Sequence, residues 1–153
     1  MEDPIFGFTH NVEYSEESGT VQFHGRALET EVRVTKSIMI VDDSEMIRKQ
    51  LRYYFESQSE FKICGEAVDG VDALEQAPQL NPDLIILDLA MPRMNGLQTA
   101  RKLRAYSSLL TIILFTGHAD LLQPREVATS GVNAVVPKSN LPELRQQIDM
   151  LLK

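Results

Sequence analysis

The sequence lacks several features that would each point to a particular class of protein. It has a single cysteine, Cys64, so no disulfide can form within the chain, and this suits a reducing compartment. No apolar run reaches the roughly 18 residues that a membrane-spanning helix needs. The acidic N-terminus is unlike the basic and then apolar signal segment of secreted proteins. These absences predict a cytoplasmic protein with no membrane partner. Cys64 lies in an apolar-alternating run, so we expect it to be a small buried core residue rather than a reactive thiol.

Clusters of lysine and arginine are also missing from the sequence. The formal net charge at pH 7 is −7, from 22 acidic and 15 basic residues. Residues 1–35 hold seven acids and two bases, a net charge of −5, which leaves −2 for the rest of the chain. Because a nucleic-acid-binding surface normally carries a basic footprint, we expect no direct contact with DNA or RNA.

From Lys36 onward, five short apolar or alternating runs predict β-strands, and each is followed by a helical pattern. The predicted strands are 37–41, 61–68, 83–87, 111–115 and 134–136. Ser44 is placed to cap the first helix, and Pro78 is expected to stop the second helix, 70–77. The remaining helices are predicted at 97–105, at 124–130 with Gly131 closing its end, and at 141–151.

This alternation predicts an α/β fold with a five-stranded parallel sheet, doubly wound with helices on both faces. The 153 residues, 43% of them apolar, suffice for one domain with a core. In such sheets, ligands bind beyond the carboxyl ends of the strands. The residues that follow each strand are therefore the first place to look for a functional site.

Residues 1–35 do not fit the repeat, so we divide the chain into an N-terminal extension, 1–35, and a main domain, 36–153. Two alternatives stay open for the extension. Segments 12–14 and 21–23 flank a turn-forming stretch and would form a β-hairpin closed around Gly19, with 31–34 alternating as well. Otherwise the extension is an acidic, loosely ordered leader.

Five polar residues stand where four of the predicted strands end. Asp42 and Asp43 follow the first strand, Asp88 the third, Thr116 the fourth and Lys138 the fifth. Three clustered acids repel one another unless a cation joins them, and Mg²⁺ is a hard cation that prefers such oxygen ligands. The ammonium and hydroxyl groups would neutralise and bind a phosphoryl group from the other side. Since no Ser, Cys or His stands at these positions, Asp88 is the candidate nucleophile.

Each of these residues alone has a simpler interpretation. An acid such as Asp43 after a strand is often only a helix cap or a turn former. A lone lysine such as Lys138 is usually a solvated surface residue, and a lone Thr116 is usually just a strand residue. Their coincidence at successive strand ends favours the functional interpretation.

Four stretches of the sequence carry a resemblance to a known family. They are "IMIVDDS", "PDLIILDLAMPRMNGL", "IILFTGH" and "VVPKS", in this order. With them, residues 36–153 resemble the receiver domain of two-component response regulators. The resemblance implies a flavodoxin-like fold and a switch in which Asp88 accepts a phosphoryl group from a phosphohistidine. The donor would be a sensor histidine kinase or a histidine phosphotransfer protein.

The resemblance also implies a role for each site residue. Asp43 and Asp88 would bind Mg²⁺ directly and Asp42 through water, and the backbone carbonyl of Ala90 would be a further ligand. Lys138 would pair with one phosphoryl oxygen. Thr116 would move to hydrogen-bond another, and Pro92 and Gly96 would shape the loop behind the acid.

The implied output is a change in protein contacts. Receivers commonly dimerise through the fourth helix, fifth strand and fifth helix, so a homodimer or a downstream protein partner is expected. The chain ends with its fifth helix, so we expect no DNA-binding output domain in it. Two alternatives stay open: a stand-alone receiver that acts by protein contact, or a part of a longer regulator. The chain would catalyse its own phosphorylation without being a dedicated enzyme.

Some positions depart from the usual receiver pattern. Val135 stands where receivers usually carry a Tyr or Phe that swings inward on activation, so we expect phosphorylation to be intact but its coupling to the last two helices to differ. Val135 is also the only support for the alternative of a phosphorylation-independent scaffolding module, and the complete set of site residues argues against that alternative. Pro137 precedes Lys138 and Ser139 follows it, so the loop is not expected to contain a cis peptide bond.

Ala90 and His118 occupy positions that tune the lifetime of the phosphoryl group. Ala90 cannot orient an attacking water molecule. The polar imidazole of His118 is an alternative group for that role, although an exposed loop residue is the simpler interpretation of His118. An aspartate-nucleophile phosphatase would need a second acid at the position of Ala90, which argues against that class of enzyme.

Overall fold

The structure is a computed structural model that describes residues 11–15, 20–24 and 34–153. The chain divides into two compact units, Met1–Val32 and Arg33–Lys153. In the first unit, β1 (Asn11–Ser15) pairs antiparallel with β2 (Thr20–His24). These strands lie where the sequence places the arms of a hairpin. Gly19 and residues 31–33 lie outside the described residues.

The second unit contains a five-stranded sheet in which every strand pair is parallel. Its strands are β3 (Lys36–Val41), β4 (Phe61–Ala67), β5 (Leu84–Leu87), β6 (Thr111–Thr116) and β7 (Ala134–Pro137). Their order across the sheet is β4-β3-β5-β6-β7, with β5 at the centre. The predicted parallel sheet is confirmed.

Five α-helices connect these strands and follow the last one. They are α1 (Glu45–Glu56), α2 (Gly70–Leu80), α3 (Gly96–Tyr106), α4 (Pro124–Ser130) and α5 (Leu141–Leu151). A single 3-10 turn, Ala119–Leu121, precedes α4. None of the described helices is long and apolar enough to cross a membrane.

The helices pack on both faces of the sheet, because each inner strand is apolar on both sides. A first core cluster joins the sheet to α1 and α5: Ile38, Ile40, Leu51, Phe55, Phe61, Ile63, Leu84, Ile86, Ile113, Phe115, Val136, Leu144 and Ile148. A second core cluster joins it to α2 and α3: Met39, Val41, Ala67, Ala73, Ala77, Ile85, Leu87, Leu97, Ala100, Leu103, Leu110, Ile112 and Leu114. Successive strand residues alternate between the clusters, as the period of two requires, and the double winding is confirmed.

The helix ends follow the expected capping chemistry with one exception. The Ser44 hydroxyl accepts the Ile47 N–H of α1 at 3.4 Å, and Gly131 closes α4 at φ +82°. The prediction that Pro78 stops α2 is wrong, since α2 continues to Leu80. A proline removes one N–H and crowds the carbonyl one turn earlier. That cost is tolerated here because Pro78 lies in the last turn, which Asn81 then closes in the left-handed region at φ +45°.

Cys64 is less buried than the sequence suggests. It lies in β4 and is partly buried against the second core cluster. Burial raises the pKa of its thiol, so the thiol stays protonated and poorly nucleophilic at neutral pH.

Candidate functional site

The predicted site residues meet at the carboxyl edge of the sheet because the strands are parallel. Asp42 follows β3, Asp88 follows β5, Thr116 ends β6 and Lys138 follows β7. The Asp88 N–H donates to the Val41 carbonyl at 2.8 Å, and the Lys138 N–H donates to the Thr116 carbonyl at 3.0 Å. The sheet hydrogen bonds therefore continue into the site and fix where its side chains begin.

Three carboxylates gather at this edge. Oxygen atoms of Asp42, Asp43 and Asp88 all lie within 4.8 Å of one another. Asp42 and Asp88 are only 2% and 4% exposed, whereas Asp43 is exposed. A set of anionic oxygens open on one side suits Mg²⁺, which takes one or two carboxylates and keeps several waters. Ala90, two residues after Asp88, is exposed and offers only its backbone carbonyl as a ligand.

Lys138 links two of the acids. Its Nζ lies 2.6 Å from Asp42 Oδ2 and 3.3 Å from Asp88 Oδ2. Burial lowers the pKa of Lys138, but hydrogen bonding to Asp42 and the charges of both acids outweigh it and leave the pKa raised. The lysine is therefore a permanent cation beside the acids.

The ionised form of Asp88 is disfavoured in the folded protein. Burial, and then the charge of Asp42, raise its pKa, while Lys138 and the Leu89 N–H oppose this rise without cancelling it. Any further positive charge at the three acids would stabilise the ionised form. This is the electrostatic condition expected for a metal-assisted nucleophile.

The Thr116 side chain contacts the backbone of His118. The fully buried Thr116 hydroxyl accepts the His118 N–H at 3.1 Å, its one hydrogen bond among the described residues. The His118 side chain is exposed. A cavity of about 490 Å³ opens beside these residues, lined by Thr116, Gly117, Ala119, Asp120, Pro137, Lys138 and Ser139. Solvent and small groups therefore have access to the lysine, whereas Thr116 lies in the cavity wall and is itself fully buried.

The loop after Asp88 folds back closely on it. The Gly96 N–H donates to the Leu89 carbonyl at 2.9 Å, and a Cβ added at Gly96 would overlap the carbonyl oxygen of Asp88. The Met94 N–H donates to the Pro92 carbonyl at 2.7 Å. Only glycine fits at position 96, so the loop shape depends on this residue.

Sequence reasoning missed two groups that hold Asp42. The Ser44 N–H donates to Asp42 Oδ1 at 2.8 Å, and Arg48 Nη1 donates to the Asp42 carbonyl at 2.8 Å. Arg48 lies one helical turn after Ser44, and that spacing at the start of α1 is the signal that could have identified it.

The positions that depart from the usual pattern are also placed. Val135 is partly buried against the second core cluster, so an aliphatic side chain occupies the position expected for an aromatic ring. None of the described peptide bonds is cis, as predicted for the loop around Lys138.

Comparison with known proteins identifies the family. The model of the response regulator receiver domain matches residues 38–149. The chain belongs to this family. The resemblance predicted from the four sequence stretches is therefore confirmed, and so is the flavodoxin-like receiver fold.

Individual relatives are similar over the same region. A protein-glutamate methylesterase/protein-glutamine glutaminase of Paramagnetospirillum magneticum is 36% identical over 117 residues, which cover 76% of this chain and 33% of the relative. An uncharacterized transcriptional regulatory protein of Bacillus subtilis is 34% identical over 106 residues, 69% of this chain and 50% of the relative. This receiver chain thus spans about a third to a half of the length of these curated relatives.

A solved structure also matches the receiver. Response regulator protein TrrA of Thermotoga maritima, in complex with Mg²⁺-BeF, superposes with a TM-score of 0.70 at 30% identity. The match covers 76% of this chain and 99% of that one.

Proposed function

We propose that this receiver accepts a phosphoryl group on Asp88 from a phosphohistidine in a Mg²⁺-dependent reaction. The donor would be a sensor histidine kinase or a histidine phosphotransfer protein. One observation carries the proposal. The buried, high-pKa carboxylate of Asp88 lies 3.3 Å from the Lys138 ammonium and within 4.8 Å of two further acids. A nucleophile between a fixed cation and a set of metal ligands is the arrangement that phosphoryl transfer needs.

In the transfer step, a carboxylate oxygen of Asp88 forms a bond to phosphorus. The phosphorus–nitrogen bond to the donor imidazole breaks, and its electron pair stays on that nitrogen, which takes up a proton. Lys138 neutralises charge on one phosphoryl oxygen, and the Thr116 hydroxyl donates to another after leaving the His118 N–H.

The residues that would hold Mg²⁺ are Asp43, Asp88 and the Ala90 carbonyl directly, with Asp42 acting through water. When bound, the ion supplies positive charge beside the phosphoryl oxygens. The solved complex of TrrA with Mg²⁺-BeF supports this assignment by similarity.

The output of the switch is proposed to be a change in protein contacts. The domain at 36–153 would bind a downstream protein or a second copy of itself, without nucleic acid, and the 1–35 extension would be separate from it. We assign this domain a signalling role rather than dedicated catalysis. The methylesterase activity in a relative's name belongs to a protein of which this chain matches 33%.

The test is intact mass after incubation with acetyl phosphate and Mg²⁺. We expect the wild type to gain one phosphoryl group, and Asp88→Asn, or wild type without Mg²⁺, to gain none. Asp83→Asn is the matched control, since Asp83 precedes the same strand at its other end and accepts the Ser37 N–H at 2.8 Å. It should be phosphorylated like the wild type.

A gain in Asp88→Asn would contradict the assignment of the acceptor. No gain in a wild type that binds Mg²⁺ would favour the second candidate, a scaffolding module that does not need phosphorylation. The partly buried Val135 in place of an aromatic switch is the observation that supports this candidate.

A further inference from the structure

An ion pair outside the acid cluster joins two loops at the carboxyl edge of the sheet. Asp69 lies between β4 and α2, and Arg93 lies in the loop that follows Asp88. Both Nε, at 2.8 Å, and Nη2 of Arg93 donate to Oδ2 of Asp69. Asp69 is 3% exposed and the Arg93 side chain is 60% exposed, so the carboxylate is embedded and the guanidinium covers it.

Asp69 is held from its other side by α2. Its Oδ1 accepts the Asp72 N–H at 2.9 Å and so caps the helix. The Asp72 N–H, and then the Arg93 side chain, lower the pKa of Asp69, which is therefore ionised at neutral pH. Asp69 is thus a buried anion at the start of α2, and Arg93 is its ion-pair partner.

Arg93 has a backbone conformation that needs support. Its φ is +66°, in the left-handed region that a non-glycine residue rarely adopts. Such residues persist where the surrounding structure determines them. The ion pair to Asp69 supplies this support.

Close contacts lead from this pair to Asp88. A Cβ added at Gly70 would overlap Thr99 Oγ1 and lie 3.1 Å from Met94 Cβ, so the start of α2 packs directly on the loop. Further along, Gly96 presses on the Asp88 carbonyl and donates to that of Leu89. The loop segment that carries Ala90 is thus fixed at Gly96 and at Arg93.

We propose that Arg93 is a positioning residue whose ion pair with Asp69 holds loop 89–95 in the conformation that presents the Ala90 carbonyl to Mg²⁺. Arg93 would set the affinity for the ion without touching it. The proposal rests on the proposed function, because that function gives the loop its metal ligand.

Three variants separate the ion pair from its side effects. Arg93→Gly removes the pair and accepts the positive φ, whereas Arg93→Ala removes the pair and keeps the strain. Asp69→Asn keeps an oxygen for the Asp72 N–H but removes the charge. The control is Arg145→Gln, which breaks ion pairs to Glu60 and Asp149 at the other end of the sheet.

Two measurements are made on the full chain: the Mg²⁺ dissociation constant by titration calorimetry, and hydrogen exchange of the Met94 and Gly96 amides without Mg²⁺. We expect all three variants to weaken Mg²⁺ binding about tenfold, the low end for groups that orient a metal ligand. Both amides should exchange faster in these variants and be unchanged in Arg145→Gln. In a double-mutant cycle, adding Asp69→Asn to Arg93→Gly should weaken Mg²⁺ binding little further, because the ion pair is already absent. Arg93→Lys, which keeps the charge, should recover part of the affinity.

A merely structural pair would lower the melting temperature and leave the dissociation constant and the two exchange rates at wild-type values. That result would overturn the proposal while leaving Asp88 phosphorylation untouched. A wild type that binds no Mg²⁺ would refute the proposed function and the affinity effect together. If the Met94 and Gly96 amides of the variants then exchanged at wild-type rates, the proposal that the ion pair holds the loop would be refuted as well.

Discussion

The cost of ionised Asp88 can be measured by removing its charge. Asp88→Asn is close to isosteric and leaves Lys138 paired with Asp42 at 2.6 Å, so no buried cation is left alone. Since burial and Asp42 raise the pKa of Asp88, the folded protein holds its proton more tightly than the unfolded chain does. The ionised carboxylate therefore destabilises the fold above the folded-state pKa. This penalty vanishes below the unfolded-state pKa, because the group is then protonated in both states.

The expected size follows from the charges. Two carboxylates whose oxygens lie within 4.8 Å of one another repel by roughly 3 to 4 kcal/mol or more at an effective dielectric constant of about 20. The attraction of Lys138, whose Nζ lies 3.3 Å from Asp88 Oδ2, is roughly 5 kcal/mol at the same dielectric constant, so burial of the carboxylate is the main source of its cost. Replacing buried charged groups by uncharged ones of similar volume is often neutral or stabilises a protein by about 1 to 4 kcal/mol. Because asparagine keeps the volume of the aspartate but loses the attraction to Lys138, we expect Asp88→Asn to raise the free energy of unfolding by about 1 to 2 kcal/mol at pH 7.5 in EDTA.

Urea unfolding of both proteins, repeated across pH and Mg²⁺ concentration, is the assay. The gain should disappear as the pH falls below about 4. Mg²⁺ at ten times its dissociation constant should stabilise only the wild type, by about 1.4 kcal/mol, and so close the gap. Asp83→Asn should show no gain, because Asp83 accepts hydrogen bonds from Ser37. An Asp88→Asn protein less stable than the wild type in EDTA at neutral pH would refute the reasoning.

Further changes test the lysine, the loop glycine and the helix end. Lys138→Gln should lower the free energy of unfolding by about 3 kcal/mol in urea, because it leaves Asp42 and Asp88 buried without their cation; stability unchanged from the wild type would contradict this. Gly96→Ala should lower the free energy of unfolding by at least about 2 kcal/mol, because the added Cβ overlaps the Asp88 carbonyl. Gly117 has open space around it, so Gly117→Ala should change the free energy of unfolding by no more than about 0.5 kcal/mol. Pro78→Ala should raise the melting temperature by about 4 °C or more, since it relieves the last turn of α2, and a lower value would show that Pro78 stabilises the helix end.

The strands could be predicted from sequence because burial on both faces leaves a direct signature. The run from Leu84 to Leu87 is continuously apolar and buried, and the structure begins and ends all five predicted sheet strands within one residue of the expected positions. The polar residues at the strand ends were found for the same reason, since parallel strands bring them to one edge. The prediction that α2 ends at Pro78 is wrong because Pro78 lies in the last turn of the helix, where a proline is tolerated.

The ion pair of Asp69 and Arg93 was also missed, because it depends on a contact between distant segments. Arg93 and Asp69 are 24 residues apart and lie in different loops, and neither type of residue is unusual in a loop. Their pairing requires the approach of α2 to the loop at Gly70, which only the folded arrangement shows. The left-handed φ of Arg93 has no signal in its residue type, because glycine or asparagine would be expected there.

The position of Lys138 suggests how an added phosphoryl group would be sensed. At present its Nζ is closer to Asp42 Oδ2, at 2.6 Å, than to Asp88 Oδ2, at 3.3 Å. A phosphoryl group on Asp88 would bring additional negative charge to the farther partner, so the balance of attraction on Lys138 would shift from Asp42 toward the new oxygens. Because the Lys138 N–H donates to the Thr116 carbonyl, a pull on the lysine would act on the end of β7 and on Thr116, whose hydroxyl we propose to turn toward the phosphoryl group. This route uses the charge on Lys138 and needs no aromatic ring at Val135.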